Sequence, residues 1–176
     1  DVGHTLIVGP TGAGKSVLLA LMAMQFRRYD KAQIFAFDFG GSIRAAALAM
    51  GGDWQDLGSS LSDDSAGGVY LQPLARIDEP AERNWASEWV SAILASEGVA
   101  LDPAAKELLW SALTSLSTAP VAERTLTGLA VLLQRHELKQ ALGPYCVGGP
   151  FGRLLDAEAE HLGDSPVQAF ETEGLT

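Results

Sequence analysis

Gly9-Pro10-Thr11-Gly12-Ala13-Gly14-Lys15-Ser16 is the stretch from which the rest of the chain can be read. Its spacing, G-x-x-x-x-G-K-S, is that of a phosphate-binding loop. Thr5-Leu6-Ile7-Val8 ahead of it is apolar and predicts a buried parallel strand. Val17-Leu18-Leu19-Ala20-Leu21-Met22 behind it predicts the start of a helix. Glycines let the backbone curl so that successive N–H groups point inward. A helix N-terminus adds unpaired N–H groups and the positive end of its dipole. Lys15 is expected to reach the β- and γ-phosphates of ATP, as the catalytic side chain, and the Ser16 hydroxyl to sit on Mg²⁺. The full set expected to line the nucleotide is Gly9, Pro10, Thr11, Gly12, Ala13, Gly14, Lys15, Ser16 and Val17. The competing reading is a glycine-rich strand-to-helix turn that binds nothing.

Working outward, 176 residues suffice for one domain with a good core. A hydrophobic content of 47% and a charged content of 19% are an ordinary globular balance. No apolar run approaches the length of a membrane span, and no signal peptide is read. The chain starts almost directly at its first expected strand, which reads as a domain cut from a longer protein. Cys146 is the only cysteine, so there is no internal disulfide and no cysteine metal cluster. The net charge of −10 is unevenly placed: residues 1–58 carry five basic and five acidic groups, residues 59–176 seven basic and seventeen acidic. An acidic surface repels nucleic-acid phosphates, which disfavours a domain that grips DNA by itself.

From Ser16 to about Arg28 apolar residues fall on nearly every side, which predicts a helix largely covered by its neighbours. Ile34-Phe35-Ala36-Phe37 predicts a second strand, with Asp38 at its end either near phosphate and metal or shaping the loop. Ser42 is expected to cap a helix through Met50, closed by Gly51-Gly52. Asp53 to Gly68 reads as an exposed loop and Val69-Tyr70-Leu71 as a short strand. Pro80 to Ser96 predicts a helix with Trp85, Trp89 and Ile93 on a core-facing side. Asp102-Pro103 opens another, with Leu109, Leu113 and Leu116 along one stripe. A third begins near Thr125 or Thr127, and Glu137–Leu142 continues or follows it. Consecutive helices with no strand between them predict a helical insertion on a nucleotide-binding sheet. Gly148 to Gly152 reads as a turn, Asp156 to Asp164 as a polar acidic segment, and Val167 to Phe170 as a last strand. The expected organisation is a nucleotide-binding βα core over 1–75, a helical insertion over 80–143 and a return to the core over 144–176.

Several stretches together resemble one family. Gly3 to Ser16, Phe37-Asp38-Phe39-Gly40-Gly41-Ser42, Ala45 to Gly52, Leu142 to Tyr145, Gly148 to Asp156 and Phe170-Glu171 are similar, in the same order, to TrbE-type conjugal-transfer ATPases of type IV secretion systems. The resemblance implies an α/β fold: a RecA-like P-loop domain with a three-layer parallel-sheet core and a helical insertion, related to the HerA and FtsK translocases. It implies ATP, Mg²⁺, hexamers, other secretion components as partners, and docking at the cytoplasmic face of a bacterial inner membrane. In that family the Walker B strand ending in Asp-Glu and the later polar and arginine motifs lie beyond the last residue of this sequence. Phosphoryl transfer needs positioned metal, an oriented water and charge neutralisation. The chain alone is therefore expected to bind nucleotide weakly and to hydrolyse it near background.

Three further readings compete with the motor segment: a non-catalytic module that holds nucleotide to lock subunits together, a DNA translocase of the HerA/FtsK type, and a small-molecule kinase. The kinase is disfavoured because no lid of clustered arginines is visible. An ABC-type ATPase is disfavoured by the lack of a Leu-Ser-Gly-Gly-Gln signature.

Overall fold

The computed structural model describes residues 3–58 and 68–175. The chain divides into two compact units, one formed by residues 1–58 with 163–176 and the other by residues 59–162.

The first unit holds helix α1 (Lys15–Phe26), strand β1 (Ile34–Asp38), helix α2 (Arg44–Ala49), strand β2 (Asp53–Asp56) and strand β3 (Val167–Glu171). The three strands form a parallel sheet in the order β1-β3-β2. Strand β3 is the central one, and all five of its residues are buried. Its register sets Asp38 and Asp56 beside Glu171, so three acidic residues end the sheet on one side. Alternation along β1 sends Ile34 and Ala36 toward α2, where they pack with Ala47, Val167 and Ala169. Phe35 and Phe37 point the other way and stay largely exposed, Phe37 stacking on Phe170 at 5.3 Å.

Several expectations for this unit need correction. Residues 5–8 form no strand, and Leu6 and Val8 are 88% and 82% exposed. A strand needs a neighbour to pair with, and among the described residues β1, β2 and β3 pair only with one another. Helix α1 is present, but none of its residues is buried, so it is not covered as expected. A helix apolar on every side needs cover on every side, and the described residues leave only Lys15, Ala20 and Ala23 of it half-buried. Ser42 does not cap α2; Ile43 holds that position, and the Asp38 carboxylate takes the Ile43 N–H. Asp53–Asp56, read as loop, is strand β2 because the edge of β3 supplies its hydrogen bonds. The stretch of that loop from 59 to 67 lies outside the described residues.

The second unit is helical. Its described α-helices are α3 (Pro80–Ser96), α4 (Pro103–Leu116), α5 (Leu126–Leu132), α6 (His136–Leu142) and the short α7 (Gly152–Leu155). Asp102 caps α4 through the Ala105 N–H at 2.6 Å, and Thr125 caps α5 through the Gly128 N–H at 3.0 Å. Leu94, Leu109, Leu113, Leu126, Leu129, Leu138 and Leu142 are fully buried in one cluster. Each such side chain contributes roughly 1.5–3 kcal/mol relative to exposure.

Of the face expected to meet this core, Ile93 lies in it and Trp89 packs against it partly buried, whereas Trp85 does not. The buried face of α3 is Ala86, Val90, Ile93 and Leu94, one residue out of step with Trp85 and Trp89. Those two rings stack on each other 5.6 Å apart, leaving Trp85 48% exposed. Residues 69–71, expected as a strand, form none; Tyr70 makes an isolated antiparallel bridge with His161, and Leu71 makes backbone hydrogen bonds with Leu154 and Ala157.

Candidate functional site

The glycine loop stands at the N-terminus of α1. Gly12 and Gly14 have φ of 82° and 79°, a region that L side chains rarely adopt. Gly14 is the residue before the helix, and its carbonyl accepts the Leu18 N–H at 2.9 Å. Within the loop, the Ala13 N–H donates to the Pro10 carbonyl at 3.3 Å. Lys15 folds its side chain back along the loop, and its Nζ donates to the carbonyl oxygens of Gly9 at 2.8 Å and Pro10 at 2.9 Å. Ser16 and Val17 follow on the first turn of α1, both exposed. The residues from Gly9 to Val17 thus form a bend, an ammonium group and a helix start within one short segment.

The Asp38 side chain is committed to the turn that follows it. One oxygen accepts from the Ser42 hydroxyl at 2.9 Å, the other from the Ile43 N–H at 2.8 Å. Burial pushes this carboxyl up, yet the hydrogen bonds from Ile43 and Ser42 outweigh it and hold it below its ordinary value. Of the two roles open to Asp38 in the sequence, these contacts are those of a loop-shaping carboxylate.

Glu171 is the side chain whose importance the sequence did not reveal. Its carboxylate accepts from the backbone N–H groups of Gly40, Gly41, Thr172 and Glu173. The Glu173 N–H, then those of Gly40, Gly41 and Thr172, hold it below its ordinary value against the opposing effect of burial. Gly40 and Gly41 have φ of 95° and 68°, which turns their N–H groups toward β3. The Thr172 hydroxyl completes the joint by donating to the Asp38 carbonyl at 2.7 Å. The available signal was a glycine pair one residue beyond one strand's terminal acid and a second strand also ending in an acid. About 130 residues separate the partners, so local pattern could not connect them.

Among the described residues no group of three or more His, Cys, Asp or Glu could hold a metal ion. No described helix is long and apolar enough to cross a membrane.

No protein-family model matches the chain. It is 43% identical over 175 residues to a probable conjugal transfer protein TrbE of Sinorhizobium fredii, covering 99% of this chain and 26% of that one. It is 42% identical to conjugal transfer protein TrbE of Rhizobium radiobacter, covering 99% of this chain and 21% of that one. Identity falls to 26% with type IV secretion system protein virB4 of Bartonella quintana, over 92% of this chain. The solved structure of VirB4 of Thermoanaerobacter pseudethanolicus shares the fold, with a TM-score of 0.65 and 15% identity over 94% of this chain and 48% of that one. The chain spans about a quarter of the length of the TrbE relatives it matches.

Proposed function

The chain is a homologue of a segment of the TrbE and VirB4 proteins of conjugal transfer and type IV secretion, and from that premise we propose that it is the nucleotide-binding segment of an ATPase. In the longer protein that ATPase energises conjugative transfer and pilus biogenesis. ATP is its nucleotide, Mg²⁺ its metal, and other secretion components its partners. It works as a hexamer at the cytoplasmic face of a bacterial inner membrane.

The observation that carries this reading is the seat of Lys15. An ammonium group held against two neutral carbonyls is poised to exchange them for phosphate oxygens. Hydrogen bonds between charged partners are roughly twice as strong as those between neutral ones. Positive-φ Gly12 and Gly14 let the backbone approach an anion closely, and the first turn of α1 offers its unpaired N–H groups. These residues fit a polyphosphate. Lys15 would hold the β- and γ-phosphates, the amides from Gly12 to Val17 would line them, and Ser16 would hold Mg²⁺, which neutralises charge on the transferring phosphoryl group.

One observation favours a second reading, a module that binds nucleotide without turning it over. Both oxygens of Asp38 are taken by the turn, and the Glu171 carboxylate by backbone amides. Both carboxylates are engaged in holding backbone and loop at the end of the sheet. The two readings diverge in the longer parent protein: steady-state ATP turnover that Lys15→Ala abolishes supports the motor, and turnover that Lys15→Ala leaves unchanged overturns it. In this chain by itself, turnover near background is expected.

A further inference from the structure

The helical unit carries an open groove of about 460 Å³ between the end of α4, the 121–123 turn and α5. Leu116, Ala119, Val131, Leu132 and Val147 make it apolar. Val131 and Val147, which both line it, are 71% and 74% exposed. An exposed apolar patch with a polar rim marks an interaction site.

The rim decides what kind of partner fits. Glu123 and Glu158 stand on it, both exposed, and neither makes an ion pair among the described residues. No described lysine or arginine lines the groove. Asp156 also borders it but is only 4% exposed, its carboxylate taken by the Thr127 N–H, the Thr127 hydroxyl and the Val147 N–H. The groove therefore lacks the convergent polar groups that orient a small ligand. It offers an apolar trough with two unpaired negative charges at its margin. The helical unit itself, residues 59–162, adds a field of the same sign, with fourteen acidic groups against seven basic.

We propose that this groove docks an amphipathic helix of a partner protein. Its apolar stripe would seat on Val131, Leu132 and Val147, and its lysine or arginine side chains would meet Glu123 and Glu158. Helix-in-groove recognition uses apolar anchors at helical spacing, and complementary charge at the rim sets the partner and speeds encounter.

Two synthetic helical peptides test this on the whole chain. Both carry the same leucine stripe; one has lysines beside it, the other glutamates. Fluorescence anisotropy is expected to show the lysine peptide binding at least about tenfold more tightly, with amide shifts centred on α5 and Val147. Val131→Glu separates docking from diffuse attraction. It adds negative charge, so diffuse attraction for the lysine peptide would grow, whereas docking should weaken about tenfold. Glu123→Lys with Glu158→Lys, at exposed positions, should weaken the lysine peptide and strengthen the glutamate peptide. Equal binding of the two peptides, or a Val131→Glu chain that binds the lysine peptide no less well, overturns the proposal. So does sedimentation showing a self-associating chain that Val131→Glu renders monomeric, because a second copy is then the occupant.

Discussion

The Glu171 carboxylate at the end of β3 accepts the backbone N–H of Gly40, the second residue after β1, at 3.1 Å. Parallel strands share no tight turn, so their ends must be joined by other means. Here one side chain gathers amides from both chain segments. Glu171→Gln keeps the size but removes the charge and one acceptor. Amide exchange at Gly40, Gly41, Thr172 and Glu173 is expected to speed up together, while α4 and α5 in the other unit stay protected. Unchanged exchange at all four would show that the carboxylate does not hold the joint.

The same contacts set a pH dependence. Glu171 is held below its ordinary value of 4.5 and Asp38 below 3.8. A depressed folded-state value favours the folded state above the unfolded value and loses that contribution as pH falls through the folded one. The denaturation midpoint should therefore be flat from about pH 7 to about pH 5 with respect to these groups and decline below. The decline should be shallower in Glu171→Gln. An equally steep decline in the variant would assign the acid sensitivity elsewhere.

In the helical unit, buried Asp156 joins Thr127 at the start of α5 to Val147 through part-buried hydrogen bonds, that to the Val147 N–H being 2.7 Å long. Asp156→Ala would leave the part-buried Thr127 N–H without its acceptor, at a cost toward the lower end of the roughly 1–3 kcal/mol of a stranded buried donor. Urea denaturation followed by tryptophan fluorescence should show that loss with an unchanged slope.

Thr125→Ala addresses the neighbouring cap, where the Thr125 hydroxyl oxygen accepts the Gly128 N–H. Losing an N-cap side chain costs about 1 kcal/mol. The same denaturation experiment checks it, and Thr125→Ser should recover most of the loss because serine keeps the acceptor.

Local chemistry made much of this architecture legible. The apolar run at 34–37 ended in an acid and is β1; Asp102-Pro103 and Thr125 opened helices where capping residues predict them. Three features were not legible, each because its cause is distant in sequence. Asp53-Trp54-Gln55-Asp56 has no strand pattern and is a strand only because β3 lies beside it. Trp85 and Trp89 have helical spacing for a core stripe, yet Ala86 and Val90 take the buried face. Glu171 reads as an unremarkable acid until β3 brings it to Gly40 and Gly41. Residues 9–16 were legible as a loop; that Lys15 rests on the Gly9 and Pro10 carbonyls required coordinates.

The central claim is that residues 9–17 hold the phosphates of ATP, and amide-resolved NMR titration tests it most directly. With ATP and Mg²⁺, the largest shifts are expected at Gly12, Ala13, Gly14, Lys15, Ser16 and Val17. Adenosine should leave those amides nearly unmoved, and Lys15→Ala should weaken ATP far more than adenosine. Saturable ATP shifts that map elsewhere, or equal weakening of ATP and adenosine by Lys15→Ala, would contradict the claim.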